Sequence, residues 1–411
     1  MEETAQRLPE KRRRVSAVEF WRFVFTCMVS LYHLEIFFPK KSLFPSGSGA
    51  VEFFFVLAGF TLAMSAQRRH LARGGAPASP KEAADRALAY VRGKFRAILP
   101  VVACWLVLHL LVAPGLSGFQ DKLNFLMNAE WEALLMVGTP MGFAGGMAPN
   151  IPMWFLTSLL IAGCVYTYLM ERHFEPMRFL APVIGVLGIT FFALKTTTVL
   201  DHNIAVGFMT AGTVKAFSEI ALGISLFFLC ARLREKPPKL WAQLLLQLVE
   251  LYVIYRLFSL ILGRPVGLEN YKRTLYIMAL IGFAFLRFTP LTRALDNPFS
   301  RCLGKVTLAM YICHYTLITA YLTWLQKGKA ALAMHSREGG LRAALFRFLG
   351  DTGGMDRSFK PAPMGWKDIV LYLALLLAVA IAVNGLIWAL GRLFRAVREK
   401  RERPDIKPEE P

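Results

Sequence analysis

AVEFWRFVFTCMVSLYHLEIFF, residues 17–38, is an apolar run long enough to cross a bilayer as a helix, yet it carries Arg22 and His33 inside it. The two stand eleven positions apart. That is about three helical turns, so their side chains share one face, roughly 16 Å apart along the axis. Keeping a guanidinium and an imidazole at two depths of a membrane is costly, and residues kept there are candidates for function. The pattern suits a site that holds an anion near one surface and moves a proton deeper in.

Similar runs recur outward from this one. The chain has 411 residues, 55% of them hydrophobic, with 32 Phe against 28 Asp and Glu, and its mean hydropathy is +0.44. This is the composition of a polytopic membrane protein, and it leaves no stretch the size of a soluble domain. Apolar segments of about 17 to 25 residues predict an all-α transmembrane helical bundle of about ten spans, near 17–38, 50–67, 96–113, 151–170, 178–194, 214–231, 240–261, 273–289, 303–325 and 369–391. The net charge of +20 is unevenly placed. With the N-terminus inside, Lys and Arg gather in 1–16, 68–95, 171–177, 232–239, 290–302 and 392–411, including KRRR at 11–14 and REKRER at 398–403. This positive-inside bias puts both termini in the cytoplasm and accounts for the charge without a nucleic-acid partner. The expected organisation is a basic cytoplasmic N-terminus (1–16), one membrane domain (17–391) and a charged cytoplasmic tail (392–411). All six cysteines lie within or beside spans, so neither a disulfide framework nor a metal site is expected.

Four further stretches carry chemistry. AVEFFFVLAGF (50–60) opens span two with Glu52. Because neighbouring spans run in opposite directions, Glu52 falls at the depth of His33, where a carboxylate can orient an imidazole and stabilise its charged form. RGKFRAILP (92–100) brings Arg92, Lys94 and Arg96 into span three from the cytoplasmic side. Such cations bind phosphates or anchor a helix among headgroups. NIPMWFLTSLL (150–160) carries Trp154, and FSRCLGKVTLAMYICHYTLI (299–318) carries Tyr311 and His314. Lys215 and Glu219 form an i,i+4 pair in span six. Between spans, 114–152 reads as a re-entrant or interfacial cap with a short amphipathic piece from Phe125 to Val137, and the outer segment from Gln326 to Lys367 is long and basic.

In order along the chain, Arg22-x10-His33, Phe54 to Phe60, the basic element ending at Ile98 to Pro100, Trp154 to Leu156 and Leu303 to His314 resemble the motifs of the acyltransferase 3 family of integral-membrane acyltransferases. The resemblance implies transfer of an acyl group, usually acetyl from acetyl-CoA, to a hydroxyl of a cell-surface glycan, a lipid-linked sugar or a small-molecule acceptor. It places the enzyme among the lipids of a bacterial cytoplasmic membrane, with acyl-CoA as donor substrate and no permanently bound cofactor. It also implies roles: His33 with Glu52 in catalysis; Arg22, Arg92 and Arg96 in acyl-CoA binding; Trp154, Tyr311 and His314 as an additional site. Three positions depart from the family pattern. AVE stands where GVD is usual, Ala58 where the usual residue is Ser, and Arg92 and Arg96 are spaced RxxxR rather than RxxR. His33 would either deprotonate the acceptor hydroxyl or itself accept the acyl group. Buried Arg, Glu and His also suit a proton-coupled transporter or flippase, but such proteins commonly show repeated halves, and no internal repeat is visible here.

Overall fold

A chain in lipid must satisfy its own backbone N–H and C=O groups, which a helix does within one segment. The computed structural model describes residues 15–36, 38, 43–113, 118–128, 150–195, 205–206, 209–263, 268–335 and 365–402, and nearly all of them are helical. Helix α1 is Ser16–Glu35. A 3-10 turn, Gly47–Ala50, leads into α2, Val51–Ala72. There follow α3 (Pro80–Val112), α4 (Phe119–Asn128), α5 (Trp154–Arg172), α6 (Phe174–Lys195) and α7 (Ala211–Arg234). The last five are α8 (Leu240–Leu262), α9 (Leu268–Leu286), α10 (Pro290–Leu295), α11 (Pro298–His335) and α12 (Trp366–Glu402). A two-residue antiparallel pair, Ala205–Val206 with Met209–Thr210, precedes α7.

Eight of these segments are long and apolar enough to cross a membrane: Gly47–Ala72, Pro80–Val112, Trp154–Arg172, Phe174–Phe191, Ala211–Arg234, Leu240–Leu262, Pro298–Thr323 and Trp366–Ala396. The polytopic helical bundle expected from the sequence is therefore present. The other two expected spans, 17–38 and 273–289, coincide with α1 and α9, which are helical but less apolar. α1 carries Glu19, Arg22 and Glu35, and α9 carries Glu269, Lys272 and Arg273. The basic stretch before span three is continuous with it, since α3 already begins at Pro80. Of the amphipathic piece from Phe125 to Val137, the part up to Asn128 lies in α4; the remainder, and most of the outer segment (336–364), lies outside the described residues.

The chain divides into two compact units, Met1–Lys94 with Ala129–Thr307, and Phe95–Asn128 with Leu308–Pro411, so that α3 and α11 contribute to both. In the first unit α2 and α7 cross at reciprocal glycines. A Cβ on Gly59 would run into the Ile220 carbonyl, and one on Gly223 would run into that of Val56. Missing side chains let two backbones approach where lipid offers no hydrophobic drive for association. α1 joins α2 through Phe25 stacked on Phe53 with ring centroids 4.4 Å apart, and α5 joins it through Phe155 against Phe55 at 4.6 Å. In the second unit Trp105 Nε1 donates to Thr316 Oγ1 at 2.8 Å and the Tyr372 hydroxyl donates to the His314 carbonyl at 3.0 Å, which satisfies polar groups buried among apolar ones.

Candidate active site

Helix α1 sets the geometry. From Met28 to Glu35 every side chain is buried except that of His33, which is half-exposed. Polar side chains of this helix fold back onto its own carbonyls: Thr26 onto Arg22 at 2.8 Å, Ser30 onto Thr26 at 2.9 Å and His33 Nδ1 onto Val29 at 2.9 Å. A carbonyl oxygen only accepts, so Nδ1 carries the hydrogen and Nε2 holds the lone pair of the neutral ring. Three turns earlier Arg22, with 30% of its side chain exposed, donates to Glu19 Oε2 at 2.7 Å. Gly304, from the LGK stretch, lies against that carboxylate; an added Cβ would stand 2.6 Å from Glu19 Cβ. Glu35 closes the other end of α1 by accepting from the backbone N–H groups of Leu43 and, at 2.7 Å, Phe44.

The basic residues of α3 part company. Ala83 and Ala87 are buried, and Tyr90 lies against Gly163 of α5, reaching the Leu159 carbonyl at 3.5 Å. Lys94 continues this inward stripe at helical spacing. Its ammonium stands 5.5 Å from the Tyr90 ring centroid. Arg92 and Arg96, the residues singled out from the sequence, are both exposed. Lys94, not Arg92, is the α3 cation of the first unit that lies on this inward stripe, beside Tyr90.

Glu52 is 1% exposed. It was expected to orient His33, but among the described residues its carboxylate takes its hydrogen bonds elsewhere. Oε1 accepts from Lys215 Nζ at 2.6 Å and from Arg273 Nη2, and Oε2 accepts from Thr274 Oγ1 at 2.8 Å. The cause is topological, since the N-terminal turns of α7 and α9 bring two cations to the start of α2. Lys215 does pair with Glu219, as its i,i+4 spacing implied, but at 3.7 Å it is farther from Glu219 than from Glu52. The residues after Glu52 form an aromatic wall. Phe54 meets Phe155 at 5.9 Å, and Trp154 packs on Phe55 at 6.2 Å.

Tyr311 and His314 belong to the second unit and are buried. His314 Nδ1 donates to the Tyr311 carbonyl at 2.6 Å, with the two rings 5.6 Å apart. Nearby in that unit, His109 Nδ1 lies 2.9 Å from Thr316 Oγ1. Among the described residues no group of three or more His, Cys, Asp or Glu is arranged to hold a metal ion. Arg273 and Thr274 were missed in the sequence, where the only trace of them was three charges within the first turns of an otherwise apolar α9.

Helices long and apolar enough to cross a membrane, with Arg22 and a half-exposed His33 on one of the bundle's helices, define an integral-membrane protein. Its family follows from comparison with known sequences: the model of the acyltransferase 3 family, described as an acyltransferase domain, matches residues 15–389. The chain belongs to this family and is an integral-membrane acyltransferase. No curated protein and no solved structure is detectably similar to it.

Proposed function

We propose that the enzyme moves an acyl group, in the first instance acetyl, from acyl-CoA to a hydroxyl of a cell-surface glycan, a lipid-linked sugar or a small exported acceptor, in the cytoplasmic membrane of a bacterium. The observation that carries this reading is Arg22 on the same face of α1 as His33. Coenzyme A has phosphates at one end and a thioester at the end of an extended arm, a reach similar to the ~16 Å between the two α1 side chains. Arg22 and Lys94 hold the phosphates through charge-assisted contacts, while exposed Arg92 draws the anion to the cytoplasmic mouth. His33 Nε2 takes the proton of the acceptor hydroxyl as its oxygen attacks the thioester carbonyl. The C–O bond forms, the C–S bond breaks, and the imidazolium returns the proton to the departing thiolate, releasing CoA as its thiol. Trp154 forms part of the aromatic wall beside α2, while Tyr311 and His314 serve the packing of the second unit.

Calorimetric titration of acetyl-CoA into the protein in nanodiscs, wild type against Arg22→Ala, tests the donor. Saturable binding that weakens by about tenfold or more in the variant is expected, the magnitude of one lost charge-assisted hydrogen bond. No binding to folded wild-type protein contradicts the reading.

A further inference from the structure

Four charged side chains, Glu52, Lys215, Glu219 and Arg273, are buried together at the starts of α2, α7 and α9. Replacing a buried ion cluster by apolar groups of similar volume is often neutral or stabilising, and ionisable groups inside a membrane domain are costly. Fold stability alone is thus a weak reason to keep these four.

Their contacts lead to α1. The Arg273 guanidinium lies flat against Gly49, where an added Cβ would stand 2.5 Å from Nε and 2.7 Å from Nη1. Two residues earlier in the same 3-10 turn, Gly47 lies against α1. A Cβ there would stand 2.7 Å from Tyr32 Cβ and 3.0 Å from the Met28 carbonyl oxygen. Ser46 ties the start of the turn to the end of α8, its N–H 3.2 Å from the Ile261 carbonyl and its hydroxyl 3.0 Å from that of Gly263. The turn is therefore a wedge between Arg273 and the part of α1 that carries His33, held on both faces by glycines that leave no room for adjustment. On the far side of Arg273, Glu52 holds the guanidinium while Lys215 and Thr274 fix the same carboxylate.

We propose that Arg273 is a positioning residue for His33, acting through the Gly47–Ala50 turn, and that Glu52 serves the imidazole by holding Arg273 rather than by touching the ring. This rests on His33 being the base. The test has two readouts, the first of them on purified, folded protein in nanodiscs. The first is the rate at which diethyl pyrocarbonate modifies His33, measured by peptide mass spectrometry with exposed His173 as internal control. The second is acetyl transfer from acetyl-CoA in native-host membranes carrying the variants. Arg273→Met and Gly49→Ala are expected to change the His33 rate and leave the His173 rate alone. They are also expected to lower kcat by about tenfold or more with the acetyl-CoA KM little changed, as a misplaced base would. Arg273→Lys, which keeps the charge, recovers part of both. Should Arg273→Met fail to fold, Gly49→Ala retains every charge, and the triple replacement of Glu52, Lys215 and Arg273 by Met removes all three together. Wild-type His33 reactivity and kcat in these folded variants overturns the inference. Full transfer by His33→Ala would instead remove the base reading, while the modification rate would still report whether Arg273 sets the imidazole.

Discussion

Glu52 and Glu219 are both 1% exposed, yet their surroundings are opposite. Three donors converge on Glu52, whereas among the described residues neither oxygen of Glu219 receives a hydrogen bond and its cation stands at 3.7 Å. Glu52→Gln leaves Lys215 and Arg273 buried against a neutral amide, at an expected cost of about 3–5 kcal/mol. Glu219→Gln removes a desolvated carboxyl that has little to lose and should change stability by less than about 1 kcal/mol. Thermal unfolding in nanodiscs followed by tryptophan fluorescence checks the pair; equal losses in the two variants would contradict the assigned network. At this scale Arg22 and His33 were legible because helical period and membrane cost both act within one segment. The choice of Lys94 over Arg92 was not, because the Tyr90 contact with Gly163 on another helix decides which face of α3 turns inward. Arg273 escaped notice for a related reason. Reading apolar runs puts a cation at the edge of a span, but α9 starts at Leu268 and carries Arg273 more than a turn inside, where Glu52 compensates it.

Between elements, the crossing of α2 and α7 makes the sharpest demand on residue size. Gly59→Ala and Gly223→Ala each press a methyl onto a facing backbone carbonyl, which cannot yield as a flexible side-chain end would. Each should cost about 1–3 kcal/mol, as overpacking does, read as a lowered unfolding midpoint; an unchanged midpoint in both would mean that the helices do not cross there. α8 makes the complementary case. Leu244, Leu248, Leu251 and Tyr255 form an exposed stripe at helical spacing, the face a spanning helix turns to lipid. Leu248→Arg should disfavour insertion by about 2.5–3.5 kcal/mol, seen as loss of membrane-integrated protein in a glycosylation-tagged insertion assay; wild-type insertion would show that this face does not meet the hydrocarbon. Spans such as 240–261 were readable almost to the residue because apolarity and helix length coincide. α1 and α9 fall below that apolarity through Glu19, Arg22, Lys272 and Arg273, and most of these are the groups that build the site.

Across the whole molecule, the residues proposed to act on the donor and acceptor lie mainly in one unit, built from Met1–Lys94 and Ala129–Thr307, while Tyr311 and His314 lie in the other. The family match over residues 15–389 spans both units, as the ordered series of motifs along the sequence suggested. What the linear order did not reveal is that Glu52 answers to Lys215 and Arg273, more than 160 positions away; such pairings exist only once the helices have packed. The central claim is that this membrane enzyme passes an acyl group from CoA to a hydroxyl with His33 as base. It is tested most directly by following radiolabel from [14C]acetyl-CoA into the envelope fraction of native-host membranes carrying equal amounts of wild type or His33→Ala. The account predicts hydroxylamine-labile label with the wild type and its loss in His33→Ala, which still binds acetyl-CoA; equal labelling by both proteins would contradict it.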